Sequence, residues 1–240
     1  MHVKKQSPGS SRRSAKRWGS AGLLLLSGLL LTGWGTVAET QPVGVREAVA
    51  PEALAPPKKE VEVPSAESRA VFAGGCFWCS EADFEKVEGV IDVRSGYTGG
   101  PELDPTYEQV SRGATGHTEA IEVVYDPSRV SYEKLLEVFW RSIDPTVKNR
   151  QFCDRGSQYR SAIFVSDSTE KKLAESGKAK AASTLRKPVF TEIEMATKFY
   201  PAEEYHQDYY LKNPLRYKYY RFNCGRDQRL AELWGDPAAK

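Results

Sequence analysis

Several kinds of protein are excluded by what this 240-residue chain has little of. Histidine occurs three times and cysteine four, and the histidines have no ligand cluster near them in sequence. His117 and His206 therefore read as packing or hydrogen-bonding residues, and no metal is expected. Four cysteines could hold zinc, but Cys153 and Cys224 stand alone rather than in a pair. The longest apolar run, Ala21 to Leu31, is too short to span a bilayer comfortably. No cysteine follows that run, which argues against a lipoprotein anchor, and no internal repeat is visible. An excess of positive charge is also missing once the N-terminus is set aside. Of 34 Lys+Arg and 32 Asp+Glu, residues 1–38 hold six of the basic residues and none of the acidic ones. The remainder carries 28 basic against 32 acidic residues, a net of −4, so nucleic acid is not an implied partner.

What is present at the N-terminus is a targeting pattern. Basic residues precede the apolar run and small residues follow it, with Thr36-Val37-Ala38 as a cleavage site. That is the order of a secretory signal peptide over 1–38, with an uncleaved membrane anchor as the alternative. It predicts an exported, periplasmic protein. Residues 39–67, rich in Pro, Ala and Glu, cannot bury a core and read as a disordered linker. From 68 to 236 the composition is globular and suffices for one domain.

Within that domain the most informative segment is Gly74-Gly75-Cys76-Phe77-Trp78-Cys79. It lies between an apolar run, Ala70 to Ala73, and an amphipathic stretch from Ser80 to Val87, which predicts strand, glycine turn and helix. A cysteine at a helix N-terminus gains thiolate character from the free amides and the helix dipole, so a low pKa is expected for Cys76. Glycines such as Gly75 let the chain turn sharply and let a substrate come close. Further strands are expected at Val90–Val93, Ala120–Tyr125, Tyr159–Val165 and Val189–Met195. Helices are expected from Thr106 to Val110, Tyr132 to Ile143 and Ser168 to Leu185, with Leu135, Leu136, Phe139 and Ile143 at helical spacing. The tyrosine-rich remainder reads as helix plus irregular tail. This alternation predicts an α+β fold, a two-layer α/β sandwich with a mixed sheet.

The residues alone leave three functions open. C-x-x-C at a strand-to-helix turn raises thioredoxin-like disulfide exchange. Two inert disulfides in an exported binding module are the structural alternative, and four cysteines allow three pairings. The third possibility is a reactive Cys76 beside an apolar pocket walled by Phe77 and Trp78.

Six segments in order add a resemblance to the A-type peptide methionine sulfoxide reductases. They are Gly74–Trp78, Gly96-Tyr97-Thr98-Gly99-Gly100, Pro105-Thr106-Tyr107-Glu108-Gln109-Val110, Gly116-His117-Thr118-Glu119-Ala120, Asp154–Ser161, and Ala202-Glu203-Glu204-Tyr205-His206-Gln207. The resemblance spans Ser68 to Arg221 and implies a long, loosely structured C-terminal segment. It implies Cys76 as the nucleophile that becomes a sulfenic acid, and Glu119 as the acid. Tyr107 and Tyr159 are implied as phenols directed at the sulfoxide oxygen, and Asp154 as a positioning carboxylate. Phe77, Trp78 and Gly75 would form the substrate site. No metal or organic cofactor is implied; electrons would come from a thioredoxin-like dithiol to a monomeric enzyme that reduces methionine S-sulfoxide, free or in oxidised proteins. Many members carry glycine where this chain has Cys79. Three cysteines are therefore candidates to resolve the sulfenic acid: Cys224 foremost, because Gly225 would let the tail swing inward, then Cys79, then Cys153.

Overall fold

The computed structural model describes residues 67–235, so the signal peptide expected over 1–38 and all but the last residue of the linker expected over 39–67 lie outside the described residues. The central strand is the one that leads into the cysteine motif. β1 (Ser68–Gly74) pairs antiparallel with β3 (Thr118–Tyr125) on one side, where Phe72 faces Ile121. On its other side it pairs antiparallel with β6 (Ser161–Val165), where Gly74 faces Ser161. β2 (Val90–Thr98), β7 (Glu192–Met195) and β8 (Tyr200–Pro201) complete a sheet of order β7-β6-β1-β3-β2-β8. Only the β6–β7 pair is parallel, so the sheet is mixed, as expected.

Side-chain alternation along β1 divides the apolar residues between the two faces. Ala70 and Phe72 join the main core, whereas Val71 and Ala73 belong to a smaller cluster with Ala120, Ala162 and Phe164. The main face is covered by α1 (Phe77–Phe84), α3 (Tyr132–Ser142) and α4 (Ser168–Leu185). α3 is capped by the Ser131 hydroxyl, which accepts the Lys134 amide, and buries Leu135, Leu136 and Phe139 at helical spacing. Phe72 stacks on Phe84 and Phe139 with centroids 5.3 and 5.2 Å apart, and each such ring is worth about 1.5–3 kcal/mol on burial.

Several strands differ from their expected limits, β2 most of all. β2 runs on to Thr98, through Gly96, because the chain of β8 packs directly against it: a Cβ at Gly96 would lie 2.4 Å from the Tyr200 carbonyl oxygen. The last long strand begins at Glu192 rather than Val189. Beyond β8 the chain forms a short 3₁₀ turn and then α5 (Tyr209–Lys212), α6 (Pro214–Asn223) and α7 (Arg226–Trp234). This segment packs Tyr209 and Tyr217 with Cys79 and Ala82 of α1 and is held by polar anchors as well. The Arg226 guanidinium, 2% exposed, donates to the carbonyls of Ser142 (2.7 Å) and Gly74 (3.4 Å), and Trp234 Nε1 donates to the Ile143 carbonyl.

Candidate active site

β1 ends at a turn that only glycine fits. Gly75 has φ +83°, and a Cβ there would lie 2.4 Å from the Gln151 side chain. Cys76 follows as the N-cap of α1, with the amides of Cys79 and Ser80 bonded to its carbonyl. Both thiols are free and buried, Cys76 at 6% and Cys79 at 1% exposure. One helical turn brings them into hydrogen-bond contact.

The expected low pKa of Cys76 is not what this environment produces. Burial first, then the hydrogen bond to Cys79, pushes the Cys76 thiol well above its ordinary value. Cys79 is lowered to about 7, chiefly by the Cys76 thiol that donates to it and also by the Arg226 and Arg221 charges. The helix N-terminus alone does not outweigh desolvation. The pair sheds its first proton near neutral pH, and Cys79 carries the charge.

Glu119 projects from β3 into the same buried space, 3% exposed. Its Oε2 accepts the Phe77 backbone N–H at 3.0 Å, which fixes the carboxyl beside the start of α1. Burial drives its pKa to about 8, helped by the charges of Asp154 and Cys79 and opposed by the Phe77 amide. At neutral pH it holds a proton. Tyr107 opens α2 (Tyr107–Ser111), whose N-cap Thr106 forms a capping box with Gln109. The Tyr107 amide donates to Glu203 Oε1 at 2.8 Å, while Tyr97 donates to Glu203 Oε2 at 2.8 Å. Tyr159 lies in a 3₁₀ turn just before β6 rather than in the strand, so its side chain is free of the strand's alternation. Burial pushes Tyr107 up to about 12 and Tyr159 further, and both feel the charges of Glu119, Asp154 and Cys76. The phenols stay protonated and can donate.

Asp154 sits in a two-strand hairpin, β4 (Arg150–Gln151) and β5 (Asp154–Arg155). Its Oδ2 accepts the hydroxyl of Tyr220 from α6, and that hydroxyl also lies against the Cys76 thiol. Desolvation raises the Asp154 pKa. Tyr220 was not singled out from the sequence: it is one of 12 tyrosines, and nothing in its local pattern marks a contact 144 positions away.

Phe77 and Trp78 differ in exposure. Phe77 is 1% exposed and packs on Tyr97 and His206, whereas Trp78 is half-buried. Trp78 stacks on Tyr209 with centroids 3.7 Å apart, and its Nε1 donates to His206 Nδ1 at 3.1 Å. Burial lowers the His206 pKa, which keeps the ring neutral and Nδ1 an acceptor. Its Nε2 is buried without a hydrogen-bond partner, and the ring lies 4.4 Å from that of Tyr107.

The cysteine pairing, left open by the sequence, is Cys153–Cys224, 71 residues apart. Cys153 is exposed at the hairpin and Cys224 caps α6. Tyr220 and Cys224 are one turn apart on α6, so the helix that puts a phenol against Cys76 also carries the disulfide. Six expected residues, Cys76, Cys79, Tyr107, Glu119, Asp154 and Tyr159, thus share one electrostatic neighbourhood.

Residues 68–238 match the family described as Peptide methionine sulfoxide reductase. The chain is 49% identical over 169 residues to peptide methionine sulfoxide reductase MsrA 2 of Rhizobium meliloti, covering 70% of this chain and 84% of the relative. It is 51% identical over 167 residues to the MsrA of Ligilactobacillus salivarius, covering 69% and 96%. Among solved structures, reduced Mxr1 from Saccharomyces cerevisiae aligns with a TM-score of 0.61 and 33% identity over 63% of this chain and 88% of that one. Methionine sulfoxide reductase A of Corynebacterium diphtheriae aligns at 0.58 and 34% identity, over 63% and 77%. With its six motifs in order, its mixed sheet and a buried thiol pair facing a protonated carboxyl, the chain belongs to the A-type peptide methionine sulfoxide reductases.

Proposed function

We propose that the protein reduces methionine S-sulfoxide to methionine with Cys76 as the nucleophile. The observation that carries this reading is the protonated Glu119 carboxyl anchored on the Phe77 amide, beside the Cys76–Cys79 pair. Cys79 takes the Cys76 proton, and the resulting Cys76 thiolate attacks the sulfoxide. Glu119 supplies a proton to the oxygen while Tyr107 and Tyr159 donate hydrogen bonds to it. Oxygen passes to Cys76, which is oxidised by two electrons to a sulfenic acid, and the sulfoxide sulfur is reduced by two electrons to the thioether. Trp78, with Phe77 behind it, encloses the substrate methyl, and Gly75 lets the substrate approach the turn.

Three cysteines remain for turnover. Cys79, already hydrogen-bonded to Cys76, is the thiol best placed to attack the sulfenic acid and release water. This puts Cys79 ahead of Cys224, whose sulfur is paired with Cys153. Reduced Cys153 and Cys224 would then exchange with the Cys76–Cys79 disulfide, leaving Cys76 and Cys79 reduced and Cys153–Cys224 oxidised. The exposed Cys153 gives an external thioredoxin-like dithiol a sulfur to attack, so no bound cofactor is required. The N-terminal pattern supports export to the periplasm, cleaved or anchored, with oxidised proteins there and free methionine sulfoxide as substrates for a monomeric enzyme.

One assay tests the reading. The protein is incubated with dithiothreitol and each epimer of N-acetylmethionine sulfoxide, and methionine formation is measured. Turnover of the S epimer alone is expected; no turnover of either removes the reading.

A further inference from the structure

Glu81 lies on α1, five residues after Cys76, and the chemistry at the thiol pair does not use it. Its side chain is fully buried at 0% exposure, and neither carboxyl oxygen closes a hydrogen bond. The amides of Asp208 and Tyr209, at the start of α5, face the carboxyl and favour its charge, yet they satisfy neither oxygen. A buried carboxylate in that position is costly unless a proton or a cation neutralises it.

Two further carboxylates converge on it. Glu85 follows one helical turn later, and Asp208 caps α5 from a left-handed backbone conformation, φ 53°. Ligand oxygens of Glu81, Glu85 and Asp208 all lie within 4.8 Å of one another. Oxygens bound to Ca²⁺ at 2.3–2.6 Å can be up to about 5 Å apart, so one ion can touch all three. Tyr210 donates to Glu85 Oε2 and orients that carboxylate. Glu85 also borders a small polar cavity of about 240 Å³ with Val90, Ile91 and Asp92, which gives room for water beside that ligand. Among the described residues no cation hydrogen-bonds Glu81. Lys86 acts on Glu85, and Lys212 lies 3.7 Å from Asp208 Oδ2 while bonding the Glu204 carbonyl and carboxylate.

We propose that Glu81, Glu85 and Asp208 form a site for a hard divalent cation, Ca²⁺ by preference. All-oxygen donors and two half-buried ligands that leave room for water suit Ca²⁺ better than zinc. The ion would fasten α1 to the start of α5, immediately before Tyr209, the residue stacked on Trp78. It would thereby hold the C-terminal segment against the helix that carries the thiols.

The test uses the full chain freed of metal by a chelator and titrated with Ca²⁺ by calorimetry. One saturable site is expected, with a Kd on the order of 10⁻⁴–10⁻³ M. Glu81→Gln and Asp208→Asn should each weaken it at least tenfold, and Ca²⁺ should raise the melting temperature of the wild type only. No saturation at several millimolar Ca²⁺, or unchanged affinity in Asp208→Asn, overturns the site and leaves Glu81 as a neutral carboxyl at the start of α5. Should Glu81→Gln not fold, Asp208→Asn carries the test, since Asp208 is half-buried. Both readouts are independent of reductase activity, so failure of one reading does not touch the other.

Discussion

The Glu119 carboxylate oxygen accepts the backbone N–H of Phe77, the residue that follows Cys76, at 3.0 Å. The proposed acid and the proposed nucleophile are therefore positioned by one peptide unit. Glu119→Gln keeps the acceptor oxygen and the volume while it removes the proton. We expect kcat to fall by about 10²–10⁴-fold with little change in KM, the range for a general acid. Loss in KM alone would assign Glu119 to binding.

The pH dependence of kcat/KM follows from the same groups. Activity should rise as the thiol pair loses a proton near pH 7 and fall as Glu119 ionises near pH 8. A narrow bell is expected, and the alkaline limb should vanish in Glu119→Gln. A wild-type profile flat from pH 6 to 9 would contradict both assignments.

Stability carries its own pH signature. Glu119 has a folded pKa of about 8 against 4.5 in the reference state, so the native protein holds a proton that the unfolded chain releases. This contribution is fully present below about pH 4.5 and is lost as pH rises through about 8. Melting at pH 6 and pH 9 should therefore differ less in Glu119→Gln than in the wild type.

The order of the cysteines can be counted. After one equivalent of sulfoxide without reductant, Cys79→Ser should retain a sulfenic acid at Cys76, detectable with a dimedone-type probe, for longer than the wild type. Cys224→Ser should still form its first disulfide, yet lose turnover with a thioredoxin-like donor while keeping most of it with dithiothreitol. Full donor-driven turnover in Cys224→Ser would remove the relay.

Gly75→Ala should fold poorly. Alanine at φ +83° is strained, and its Cβ would meet Gln151 at 2.4 Å. A loss of at least about 1–3 kcal/mol is expected in denaturant melts. A change within 0.5 kcal/mol would mean that the turn relaxes and does not constrain Cys76.

Much of the fold was legible because its signals are local. The Ser131 cap and the spacing of Leu135, Leu136 and Phe139 define α3 without reference to the rest of the molecule. The apolar runs at β1 and β3 mark strands for the same reason. β2 is longer than its local signal: Ser95 and Gly96 have little strand propensity of their own and are extended because β3 and β8 pair with this stretch.

The sequence by itself determined the reactive turn, the order of the motifs and, by resemblance, the candidates Cys76, Glu119, Tyr107, Tyr159 and Asp154. Only the tertiary structure decided their charge states and partners. Desolvation depends on what is packed around a group, so the expected low pKa of Cys76 became a raised one and Cys79 took the charge. Tyr220 and the Cys153–Cys224 bond are contacts between distant segments, set by where α6 crosses the domain. Glu81 was invisible for the same reason, since a glutamate in an amphipathic stretch looks solvated until α5 closes over it.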